Sequence, residues 1–349
     1  MTLFPPLPDV RYVDVESLGG DTTPRTALAI GNFDGVHRGH AAVLSQLTAL
    51  AATRGLQPAV LTFDPHPAVV LGKTAPARLT TMERRIELFG RHGVRIVFVA
   101  NFTRALAETS AQTFAEGVFF GALGAEVVVV GSDFRFGKGR AGHFSMLRSF
   151  AESAPEHREA FAAVIEADAD GPISSTRVRA ALAEGNVHHA SELLGRPHAF
   201  SGEVVLGAQK GRTIGFPTAN LDGIEEACPA NGVYAVSVDL LSRAGEHDKT
   251  APSAPTAPTA PTAIGHGVMN VGTRPTVSGG ETRRHVEVFL FGFEGDLYGR
   301  RLRVHVHERV RDERKFPSFD ALKTQIAADA ARARELTSSM PVPVDAPFG

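Results

Sequence analysis

From residue 26 to about 190, short apolar runs alternate with amphipathic helical stretches. The strands this predicts are 27–30, 59–63, 94–99 and 126–130, each rich in Val, Ile or Phe. Helical segments at 39–52, 81–92 and 111–123 lie between them. Strand and helix in alternation predict a parallel sheet wrapped by crossover helices, a doubly wound α/β domain. After Gly195-Arg196-Pro197 the pattern becomes glycine-punctuated and alternating. Segments such as 202–206, 233–241 and 302–310 predict a small antiparallel β-barrel. A helix returns at 318–335, with Ser318 as its N-cap and Leu322 and Ile326 on one face.

This change of pattern predicts two domains, 1–190 and 196–337, followed by a tail at 338–349. The length of 349 residues, more than one core usually organises, agrees with that. Residues 242–263 interrupt the barrel with Ala-Pro-Thr triplets, too poor in large apolar groups to offset the entropy of ordering. They predict a flexible surface insertion. Hydrophobic residues make up 43% and charged residues 21%, which suits globular cores and excludes a disordered or fibrous chain. A net charge of −2 argues against broad nucleic-acid binding. No apolar run approaches the roughly 20 residues that cross a bilayer. The first ten residues lack a signal-peptide pattern, and Cys228 stands alone, without a cysteine to pair with. The expectation is a cytoplasmic protein with small-molecule partners, no nucleic acid, no membrane and weak self-association.

The chemistry concentrates first in 31–40, GNFDGVHRGH, directly after the first strand of the repeat. Gly31 and Gly39 permit sharp turns and close approach to a ligand, with Phe33 between them. The following helix offers free N–H groups and a positive dipole end to an anion, which His37 and His40 also face. Three further segments lie at strand ends or helix starts: TFDPHP at 62–67 with Asp64, GSDFRFG at 131–137 with Asp133 and Phe134, and ISSTRVR at 173–179. In the last, the hydroxyls of Ser175 and Thr176 and the guanidinium of Arg177 or Arg179 form a candidate polyphosphate site. Together the four segments can surround one nucleotide. His66, between two prolines, reads as a rigid turn residue.

The barrel half holds GRTIGFPTAN at 211–220 and MNVGTRPT at 269–276. The first is not a P-loop, since the GK[ST] ending is missing. Gly211 and Gly215 can still lay backbone against phosphates, and Thr218 and Asn220 offer neutral oxygens suited to a hard cation such as Mg²⁺. Strand alternation sets Glu287 opposite Val286, Val288 and Leu290. A carboxylate inside a small barrel near a Mg²⁺-phosphate site is a candidate general base for a hydroxyl. His305 and His307 alternate with valines and read as a polar strand face. Arg311 lies in a charged run, 308–315, within reach of a ligand.

Taken in order, HxGH, TFDPHP, GxDFxFG, SSTRVR, GRTIGFPTAN and NVGTRPT make the chain resemble the bacterial bifunctional riboflavin kinase/FAD synthetase family from about residue 26 to 335. The resemblance implies an HxGH nucleotidyltransferase domain followed by a riboflavin kinase barrel. Riboflavin and ATP would give FMN, and FMN and ATP would give FAD and pyrophosphate. It further implies Glu287 as activator of the ribityl hydroxyl, Mg²⁺ on Thr218 and Asn220, and His37 and His40 on the ATP phosphates. Arg177 and Arg179 would hold the leaving phosphates, Asp64, Asp133 and Phe134 would lie near flavin or metal, and Asn270 and Arg311 would bind flavin. Some relatives carry Asn where this chain has Asp133. The competing readings are an HxGH enzyme acting on another phosphate ester and a non-catalytic flavin-binding regulator.

Overall fold

The computed structural model describes residues 6–13, 24–154, 158–164, 166–207, 215–241, 261–275 and 282–340. The chain forms two compact units, Met1–Pro76 with Met82–Ser174, and Ala77–Thr81 with Ser175–Gly349.

The first unit is built on six parallel strands: β1 (Asp9–Val13), β2 (Thr26–Ile30), β3 (Gln57–Asp64), β4 (Ile96–Asn101), β5 (Ala125–Gly131) and β6 (Glu159–Ala163). Their order is β1-β4-β3-β2-β5-β6, parallel throughout. The central strand β2, TALAI, is buried at every residue, as a strand covered on both faces must be. Helix α1 (Arg38–Arg54) and α2 (Met82–Arg91) place Leu44, Leu47, Leu88 and Phe89 in the core on one face. On the other face Phe119 and Leu147 pack against Leu61 and Phe98. The helix expected at 111–123 is a single α-turn, Ala111–Thr113, running into a π-helix, Phe114–Ala122. In it Phe114, Val118, Phe119 and Phe120 are all buried. The chain runs from β2 outward through β3 to β4 and then crosses to β5 on the opposite side of β2, so the carboxyl end of β2 is the topological switch point where such sheets bind ligands.

In the second unit, α3 (Ser175–Ala183) and α4 (Val187–Leu194) precede a closed antiparallel barrel. Its strands are β7 (His198–Val205), β8 (Ala219–Asp222), β9 (Gly232–Leu241), β10 (Thr262–Pro275), β11 (Thr282–Leu290) and β12 (Arg301–Asp312), in the order β7-β8-β11-β10-β9-β12. The last helix, α5 (Phe319–Thr337), begins at Ser318, whose hydroxyl accepts the Ala321 N–H at 3.2 Å. Through Ala330 and Ala333, α5 packs on Val233, Ala235 and Val268 with Phe289 beside them. A six-stranded barrel has no room for a helix inside, so this is the outer face. Val236, Val238, Val286, Val288, Leu290, Val304 and Val306 therefore fill the interior.

The segment read as an insertion lies outside the described residues from 242 to 260. Its end is ordered strand: Thr262 pairs with Leu240 and Ala263 with Asp239. His305 lies on a polar strand face, as its alternation with valines predicts. It is buried and meets Asp239 at 2.9 Å, while His307 bonds the Ser237 hydroxyl.

Candidate functional site

At the carboxyl end of β2 the chain turns through three residues with left-handed backbone, Phe33 (φ 49°), Gly35 (φ 84°) and Val36 (φ 40°). Glycine accepts this freely, but Phe33 and Val36 each pay about 1 kcal/mol or more. The Phe33 ring is fixed edge-on between Phe89 (5.5 Å) and His40 (5.1 Å). Asp34 meets Arg85 at 3.4 Å in a buried pair. The turn delivers His37 as the N-cap of α1, where its Nδ1 accepts the His40 N–H at 3.3 Å. An accepting Nδ1 leaves the neutral ring's proton on Nε2. The two imidazoles stack at 3.6 Å, 18° from parallel, at the positive end of α1. At Gly39 a Cβ would stand 2.9 Å from the Ile173 carbonyl and 3.2 Å from the His37 ring, so only glycine fits unstrained. The arrangement is a donor-rich cradle for an anion.

Asp64 ends β3 and is half-buried; Asp133 is exposed beyond the end of β5. Phe134 stacks on Phe136 at 5.5 Å, and Phe136 is buried against Phe119. The second phenylalanine of GSDFRFG is thus core, and the first is half-buried. Ser175, Thr176, Arg177 and Arg179 all lie on α3 of the second unit. Thr176 is exposed, and the Arg179 Nε donates to the Ala77 carbonyl at 2.7 Å.

In the barrel, register assembles what the sequence keeps apart. Asn220 of β8 pairs with Glu287 of β11, which pairs with Asn270 of β10. Residues directly opposite in antiparallel strands project from one face. Asn270 is followed by Val233 and Arg311 on the same rung. The face is the outer one, since Phe289, two residues from Glu287, packs beneath α5. Glu287 is therefore not inside the barrel: the strand's valines and Leu290 occupy that space. It is half-buried and bonded to His285 Nε2 at 2.6 Å. Arg311 is held by Asp329 of α5, with Nε at 3.0 Å from both carboxylate oxygens and Nη2 at 2.7 Å from one.

A space of about 620 Å³ is lined by Thr218, Asn220, Val288, Leu290, Phe293, Asp296 and Tyr298 among others. Asn220 is buried, and its Oδ1 has no hydrogen-bond partner. A Cβ on Gly207 would stand 2.3 Å from the Asn220 amide, so the loop closes there only because it has no side chain. A neutral amide oxygen left open beside a threonine suits a hard cation that keeps its remaining ligands from water and phosphate. Among the described residues no group of three or more His, Cys, Asp or Glu could hold a metal by itself. Gly211 and Thr276 lie outside the described residues; Gly215 is exposed, with φ 85°.

The sequence reading passed over His285, Asp296 and Tyr298. His285 is detectable as the i−2 neighbour of Glu287 on an alternating strand. The other two stand in EGDLYG, a glycine-bounded acidic and aromatic loop.

In comparisons with known proteins, residues 21–177 match the family model described as FAD synthetase, and residues 194–337 the one described as riboflavin kinase. A bifunctional riboflavin kinase/FMN adenylyltransferase of Escherichia coli (strain K12) is 40% identical over 309 residues, 88% of this chain and 91% of its own length. One from Haemophilus influenzae is 39% identical over 320 residues, covering 90% and 94%. The crystal structure of a macrolide-efflux protein from Streptococcus pneumoniae superposes with a TM-score of 0.78 at 29% identity, over 95% of this chain and 99% of that one. Among the described residues no helix is long and apolar enough to cross a membrane.

Proposed function

Because the chain belongs to the family of bifunctional riboflavin kinases/FMN adenylyltransferases, we propose that it makes FMN from riboflavin and ATP in its barrel half, and FAD and pyrophosphate from FMN and ATP in its α/β half. The observation that carries the kinase assignment is the rung Asn220–Glu287–Asn270, with Asn220 also lining the 620 Å³ space. Glu287 takes the proton of the terminal ribityl hydroxyl as its oxygen bonds the γ-phosphorus and the bond to ADP breaks. His285 holds the carboxylate in place through the 2.6 Å bond. Thr218 and Asn220 would hold Mg²⁺, which when bound supplies charge neutralisation at the γ-phosphate. Asn270 orients the flavin.

In the adenylyl transfer, an FMN phosphate oxygen bonds the α-phosphorus of ATP and the α–β bond breaks, so little covalent chemistry falls to the protein. His37 and His40 stabilise the charge on the phosphates, supported by their stacking at the start of α1. Gly31, Phe33 and Gly39 shape the loop around ATP. Ser175, Thr176, Arg177 and Arg179 bind phosphate oxygens, and Asp64, Asp133 and Phe134 serve the flavin.

The test is a time course of purified protein with riboflavin, ATP and Mg²⁺, followed by chromatography of the flavins. FMN appearing first and FAD second is the expected result. FMN alone would remove the adenylyl-transfer half of the reading, and neither product would overturn it entirely.

A further inference from the structure

Asn32, inside the strained turn that carries His37 and His40, is anchored at two points on the β3 side of the sheet edge. Its carbonyl accepts from the Thr62 hydroxyl at 3.3 Å, and its side-chain amide meets His66 Nε2 at 3.3 Å. His66 is itself pinned, because its Nδ1 accepts the Ala68 N–H at 3.1 Å. A neutral imidazole whose Nδ1 accepts carries its proton on Nε2, and that N–H requires an acceptor. The Asn32 amide oxygen is buried with no other hydrogen-bond partner, and it becomes that acceptor when the amide turns its oxygen to the ring. One hydrogen bond then satisfies both groups and ties the turn after β2 to the turn after β3. With both nitrogens engaged by protein, His66 is fixed rather than poised for proton transfer.

We propose that Asn32 and His66 form a strut that holds the phosphate loop in its strained shape and thereby positions His37 and His40 for adenylyl transfer. Both act as positioning residues, through the loop rather than on the substrate. The left-handed backbone at Phe33 and Val36 is what makes a strut necessary, since such a turn keeps its shape only where its surroundings over-determine it. The inference rests on the adenylyl-transfer reading of the first unit.

The experiment measures FAD formation from supplied FMN and ATP in Asn32→Leu, Asn32→Ala, His66→Phe, His66→Gln and the double variant Asn32→Ala/His66→Phe. FMN formation from riboflavin and thermal unfolding serve as controls. A misplacement of about 1 Å lowers kcat by up to about 100-fold, so each disruptive single variant should lose about 30- to 100-fold in kcat, with KM for either substrate moving by less than about threefold. The double variant should be no worse than the poorer single one, since one bond is lost either way. His66→Gln, which keeps a donor, should stay within about fivefold of the wild type. Asn32→Ala adds no bulk and carries the expectation if Asn32→Leu melts early. Unchanged kcat in the single variants, losses that multiply in the double one, or a His66→Gln as poor as His66→Phe would each overturn the strut. A wild-type protein that makes FMN and no FAD would instead remove the reading on which it rests.

Discussion

Glu287 and His285 leave the same face of β11, and their 2.6 Å bond holds the carboxylate in place. Glu287→Gln keeps the size and a hydrogen-bond partner for His285 but cannot take a proton. General-base catalysis is worth about 10²- to 10⁴-fold, so FMN formation should fall by that order while FAD formation from supplied FMN persists. The double change His37→Ala/His40→Ala should do the reverse. Flavin chromatography reads both reactions, and equal losses in both would remove these residue assignments. The HxGH pattern and the alternation around Glu287 were legible in the sequence because motif and alternation are local. The side on which Glu287 lies was not, since a strand's two faces are equivalent until something packs on one of them.

Helix α5 is joined to β12 by the bidentate contact of Arg311 with Asp329, and the Gln325 amide donates to the same carboxylate at 2.7 Å. Asp329 is almost fully buried. Removing one partner of such a pair leaves the other charge uncompensated, so Asp329→Ala should destabilise the barrel unit by about 3 kcal/mol in urea denaturation. An unchanged midpoint would mean that the contact is solvated and of little energetic weight. The helix itself was readable from Ser318 and its apolar spacing, because capping is a contact over three residues. The edge strands β1, DVRYV, and β6, EAFAA, escaped the reading. Neither has the run of large apolar residues that marked β2 to β5, and pairing with β4 and β5 is what makes them strands.

At the scale of the whole molecule, the polar cluster on β9, β10 and β12 makes stability depend on acid pH. Burial pushes the His307 imidazole down to about 4, with His305 and His266 adding to the effect. A depressed histidine binds its proton more readily in the unfolded chain, so its stability is full above pH 6.5 and is lost as pH falls from there toward 4. The difference corresponds to about 3 kcal/mol, so melting should fall between pH 7 and 5 and do so less steeply in His307→Gln. Equal slopes for the two proteins would place the sensitivity elsewhere. By itself the sequence determined the two fold classes, the glycine-rich turn at 31–40, the cap of α5 and the motifs of both family halves, because hydrophobic period and short-range spacing are properties of neighbours along the chain. Only the tertiary structure decided that Asn220, Glu287 and Asn270 share a rung, that Arg311 faces Asp329 and that Asn32 meets His66. Those pairings depend on strand register and loop closure, which are fixed when distant segments bury their apolar faces together.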